Sequence, residues 1–88
     1  MSRIEVKQKD TQTFEVTVKE ATTTTHVVTV SQDYYQKLTG GRITPETFIE
    51  KSFEFLLERE SNTMILSRFD VSVIADYFPE YEKTMVER

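Results

Sequence analysis

The feature that most constrains the fold is a change of hydrophobic period at Ser31. Before it, apolar residues fall at every second position; after it, they recur three and four apart. A period of two turns one face of a strand toward a core, whereas a period near 3.6 lays an apolar stripe along a helix. Strands first and helices second predict an α+β domain. With 88 residues the chain suits one domain, 1–88, and leaves little volume for a deep enclosed site.

Phe14, Val16 and Val18 alternate with Glu15, Thr17 and Lys19, which predicts a strand over about 13–19. A β-branched run over about 24–30 follows, with His26, Val28 and Val30 on one face and Thr25, Val27 and Thr29 on the other. The two read as an antiparallel hairpin, although Glu20-Ala21-Thr22-Thr23 between them contains no Gly, Asn or Pro. Ile4 and Val6 predict a further strand over about 3–7 before a polar loop Gln8–Gln12, with a partner that the spacing does not name. The first third is thus a hairpin or a three-stranded sheet.

Beyond Ser31 the signals are helical. Ser31 suits an N-cap, Asp33 favours the positive end of the helix dipole, and Gly40-Gly41 provides a left-handed stop, which predicts a short helix over 32–39. Thr44-Pro45-Glu46 starts a long amphipathic helix over about 45–60: a hydroxyl cap, proline at the first position, an acid in the first turn. At about 100° per residue, Phe48, Ser52 and Leu56 form one row and Ile49, Phe53 and Leu57 the next, with Phe55 beside them. Glu50, Lys51, Glu54 and Glu58 keep a narrower polar strip. So wide a stripe implies contact on two sides, one met by the strands and the other by the final helices or a second subunit. Phe48, Ile49, Phe53, Leu56 and Leu57 are therefore the candidate core and interface residues. After the break at Ser61-Asn62-Thr63, Ile65, Leu66, Phe69, Val73, Ile74, Tyr77 and Phe78 recur at helical spacing and predict a helix over about 64–77 with Asp70 as a cap within it. Pro79 disfavours a helical Phe78, so the C-terminal helical segment breaks there and restarts over about 79–86.

Catalytic chemistry finds little to work with. There is no cysteine, hence no disulfide, thiolate or Cys-ligated metal. The single histidine, His26, sits in a strand without a nucleophile elbow, and reads as a packed strand histidine. The carboxylate pairs Glu54/Glu58 and Asp76/Glu80 read as solvated face residues. Two glycines cannot make a glycine-rich phosphate loop, and the oxygen-ligand pattern of a calcium hand is missing. Tyr34, Tyr35, Tyr77 and Tyr81 read as packed rings with the hydroxyl at an edge. The expectation is a non-enzyme with no cofactor and no metal. An N-terminus without an apolar leader core and a chain without an apolar run of about 20 residues predict a cytoplasmic protein off the membrane. A net charge of −4, with no basic stripe, disfavours phosphate-rich partners.

Two resemblances accompany these readings. The run Ile43-Thr44-Pro45-Glu46, then Ser52-Phe53-Glu54-Phe55-Leu56-Leu57-Glu58-Arg59-Glu60, Phe69-Asp70-Val71, Ile74 and Tyr77-Phe78-Pro79-Glu80-Tyr81-Glu82, resembles a group of small bacterial proteins of uncharacterised function over about residues 26–82. That likeness implies a bacterial setting and brings no activity with it. The order strand Thr25–Val30, short helix, glycine turn, helix from Thr44 is similar to ribbon-helix-helix DNA-binding proteins over residues 25–60. In that family two chains pair their strands into a ribbon that enters the major groove. The resemblance would put Thr25, Val27 and Thr29, or His26 on the other face, against base edges and Thr44 near a phosphate. The strand carries no Arg, Lys, Asn or Gln, and the acidic charge opposes DNA. The functional expectation is a protein-interaction module that pairs with itself as a homodimer, or with another protein; the alternative is a ribbon-helix-helix-like regulator.

Overall fold

The computed structural model describes residues 3–87. Its sheet has four strands, β1 (Ile4–Asp10), β2 (Thr13–Lys19), β3 (Thr23–Thr29) and β4 (Arg68–Asp70), in the spatial order β1-β2-β3-β4. The first three form an antiparallel meander, and β4 pairs parallel to β3. Between β3 and β4 run α1 (Gln32–Thr39), α2 (Pro45–Leu57) and a 3₁₀ turn at Asn62–Met64; α3 (Val73–Tyr77) and α4 (Tyr81–Glu87) follow. This is the expected α+β arrangement, a sheet and then helices. No helix among the described residues is long and apolar enough to cross a membrane.

The register explains the layering. Val18, Val16 and Phe14 of β2 face Ile4, Val6 and Gln8 of β1 on one side and Thr24, His26 and Val28 of β3 on the other. The shared face is the core face, where Ile4, Phe14, Val16, Val18, His26 and Val28 are buried. The opposite face keeps Glu5, Lys7, Glu15, Thr17, Lys19, Thr25, Val27 and Thr29 exposed or half-buried. Lys19 bonds Glu5 across it at 2.7 Å, and such exposed pairs add at most about 1 kcal/mol.

The helix signals operate as the sequence predicts. Ser31 Oγ accepts the Tyr34 amide at 3.1 Å, and α1 ends at Gly40 in a left-handed turn (φ 62°). Thr44 Oγ1 accepts the Thr47 amide at 3.1 Å, with Pro45 in the first turn of α2. The wide stripe on α2 is consumed within one chain. On the sheet side Phe53 meets His26 (ring centroids 5.4 Å apart) and Phe69 (6.0 Å); on the other, Phe55 meets Tyr81 (5.2 Å) and Phe78 (5.9 Å). Phe48, Ile49, Phe53, Phe55 and Leu56 are buried, and Leu57 is half-buried.

Several expected boundaries are corrected. The predicted helix over 64–77 is instead the 3₁₀ turn, strand β4 and the short α3. The segment extends because β3 would otherwise carry a bare edge: Ser67 C=O accepts the Val27 amide and the Val71 amide donates to Thr29 C=O, both at 2.8 Å. Asp70 is not the helix cap expected of it: it ends β4, while Ser72 holds the cap position of α3, and Asp70 accepts Ser72 N (3.1 Å) and Oγ (2.6 Å) in the turn between them. The helix expected to reach residue 60 stops at Leu57, where Arg59 folds back on the Phe55 carbonyl at 3.0 Å. Strand β1 runs through Gln8 and Lys9 to Asp10, past the loop expected from Gln8, because Asp10 Oδ1 accepts the Gln12 amide (3.0 Å) and closes a tight turn around Thr11-Gln12. Its partner is β2, with a register irregularity between Gln8 and Asp10. Phe78 is extended ahead of Pro79, and the last helix begins at Tyr81.

Candidate functional site

An apolar groove of about 300 Å³ lies at the β4 side of the helix layer. Leu56 and Glu60, Met64 to Leu66, Phe69 of β4, and Val73, Ile74, Tyr77 and Phe78 line it. Met64 (69% exposed), Leu66 (48%) and Tyr77 (66%) stand out of its walls. Its volume lies at the lower end for small-molecule pockets, and Glu60 is the only charged side chain lining it. A contiguous exposed apolar patch is the form contact surfaces take.

Beneath it a polar network fixes the segment that leads into β4. Asn62, buried, donates through Nδ2 to Thr22 C=O (2.7 Å) and Thr24 Oγ1 (3.0 Å). His26, also buried, places Nδ1 2.7 Å from Leu66 C=O and Nε2 2.9 Å from Thr24 Oγ1. A carbonyl only accepts, so the Nδ1 proton goes to Leu66; the Thr24 hydroxyl accepts from Asn62 and shares a hydrogen bond with Nε2. Each member is spent on the fold. The glycine-free loop after β2 is thereby held by a donor forty residues further along.

A second network, outside the groove lining, ties α2 to the segment after Pro79. Arg59 lies 3.6 Å over the Phe55 ring centroid and reaches Glu80 Oε2 at 3.1 Å. Glu80, held by its own backbone amide and by Arg59, stays below the ordinary carboxylate value. Tyr81 OH lies 2.7 Å from Ser52 Oγ, which donates to Phe48 C=O at 2.9 Å, so the phenol donates and the serine accepts. Burial pushes the Tyr81 phenol up. Tyr34 OH donates to Glu82 (2.8 Å), and burial, then that carboxylate, also raises it. Tyr35 OH donates to the Ile43 carbonyl. Of the four tyrosines, Tyr77 alone stands mainly in solvent.

Thr25, Val27 and Thr29 lie on the open face of the sheet, and Thr29 Oγ1 donates to Asp70 Oδ1 at 2.7 Å. Thr44 belongs to the helix layer, against the other face. Strand β3 bonds β2 along one edge, and β4 covers the other from Val27 to Thr29, the stretch a two-chain ribbon of the ribbon-helix-helix kind would share with a second copy. Among the described residues no cluster of three or more His, Cys, Asp or Glu is placed to hold a metal ion.

No protein-family profile, curated protein or solved structure matches this chain.

The sequence points to α2 and not to the groove, because Met64, Leu66 and Tyr77 share a helical spacing with buried neighbours. Two signals mark the groove in hindsight. Phe69 and Val71 alternate with Arg68 and Asp70 as a strand does, and Ile65-Leu66 is an apolar pair of which an extended chain can bury only one.

Proposed function

We propose that this chain is a non-enzymatic protein-interaction module that works as a homodimer, with its contact surface on the rim of the β4 groove. The carrying observation is a segregation: Met64, Leu66 and Tyr77, which all line the groove, make up all but one of the large apolar side chains exposed among the described residues; Val86 is the other. The remaining apolar side chains, including the wide face of α2, are consumed inside one chain, which moves the expected contact from that helix to the groove. The polar side chains that would serve chemistry, His26, Ser52, Asn62 and Tyr81, spend their hydrogen bonds on packing.

Size-exclusion chromatography with light scattering tests the reading. The wild-type chain is expected to dimerise by high micromolar concentration, and Leu66→Asp with Tyr77→Asp to weaken that association at least tenfold without unfolding the domain. A wild-type chain that stays monomeric at that concentration contradicts it.

A further inference from the structure

We infer that the second copy joins by extending the sheet: the free edges of two β4 strands pair antiparallel about a twofold axis at Phe69. This rests on the homodimer reading above and specifies its geometry. The bonds to β3 fall on Ser67 and Val71, with Phe69 opposite Val28 between them. Backbone groups alternate along a strand, so the N–H and C=O of Arg68 and Asp70 point away from β3. No strand lies beyond β4, and no backbone partner takes these groups among the described residues.

That edge is complementary to itself. With Phe69 on the axis, Arg68 of one copy faces Asp70 of the other, and both pairs are of the hydrogen-bonded kind that exchanges N–H and C=O in each direction. Arg68 and Asp70 also share one face of the strand, so the same register sets a guanidinium beside a carboxylate at both positions. Arg68 is exposed and makes no ion pair among the described residues. Asp70 is held by Thr29 on one oxygen and Ser72 on the other, and carboxylate oxygens keep lone pairs for a further donor. On the other face the two Phe69 side chains come side by side, at the close spacing of a non-hydrogen-bonded pair, and join the two grooves across the axis. Three residues of strand are too little contact for a stable dimer, so the apolar rim must contribute.

Amide hydrogen exchange read across a dilution series, together with light scattering, tests the geometry. The Arg68 and Asp70 amides are expected to exchange at least tenfold more slowly in the dimer than in the diluted monomer. Arg68→Asp, at an exposed position that leaves the fold intact, sets acid against acid at both contacts and is expected to weaken the dimer about tenfold or more. Mixing it with Asp70→Arg opposes unlike charges again and restores association. A dimer in which the Arg68 and Asp70 amides stay unprotected, or one indifferent to Arg68→Asp, overturns the edge pairing and leaves the interaction module standing. A monomer at high micromolar concentration overturns both.

Discussion

The two edges of the sheet are built differently, and the proposed contact uses only one of them. Strand β1 is seven residues long, carries Lys7 and Lys9, and slips register between Gln8 and Asp10. Charge and irregularity along an edge discourage pairing with another chain. Its apolar side is roofed by α2. Strand β4 is three residues long and regular, with an acid and a base on one face and an open apolar groove on the other. One edge is blunted; the other is short, self-complementary and bordered by exposed Leu66, Met64 and Tyr77.

The contrast can be broken most severely at the ring beneath β4. Phe53 is fully buried between His26 and Phe69, so Phe53→Ala is expected to cost about 3–5 kcal/mol in urea unfolding. The cost of Leu66→Ala, at the exposed rim, is expected to stay below about 1 kcal/mol. Next comes the tie between the β2–β3 loop and the segment entering β4. Asn62→Ala leaves Thr22 C=O without its donor and should cost about 1–3 kcal/mol. Its effect on native-state exchange should concentrate in residues 62–71 and spare β1.

Asp70→Ala is expected to cost about 1 kcal/mol at neutral pH by removing the turn that starts α3, with solvent screening favouring the lower end. Burial pushes this carboxyl up, but hydrogen bonds from Ser72 and Thr29 outweigh it and hold it below 3.8. A lowered native value means the stabilisation is complete above the unfolded value near 3.8 and lost as pH falls through the native one. The difference between wild type and Asp70→Ala should therefore be constant from pH 7 to 5 and shrink below about 4. The smallest effect belongs to the blunted edge: Lys7→Val with Lys9→Val should change stability by no more than about 0.5 kcal/mol while raising self-association of the monomer.

Much of this contrast is invisible before folding, for identifiable reasons. The alternation Phe14-Val16-Val18 and the starts at Ser31 and Thr44 are local signals, and local geometry obeys them. Strand β4 is decided by a partner forty residues away: Ser67 to Val71 extend to fill the edge of β3, although their apolar residues also satisfy a helical period. The loop after β2 lacks turn residues and is held by Asn62 from afar. The breadth of the α2 stripe is legible, but not that Phe55 would be covered by Phe78 and Tyr81 of the same chain. The groove follows from that choice, since a strand at 68–70 leaves α3 too short to cover Met64 and Leu66.

The most direct test is an isotope-filtered nuclear Overhauser experiment on a dimer mixed from labelled and unlabelled chains. Pairing about Phe69 predicts a strong contact between the Phe69 α-protons of the two copies, with none between β1 strands. Intermolecular contacts confined to β1, or their absence at Phe69 in a sample that scatters as a dimer, would contradict it.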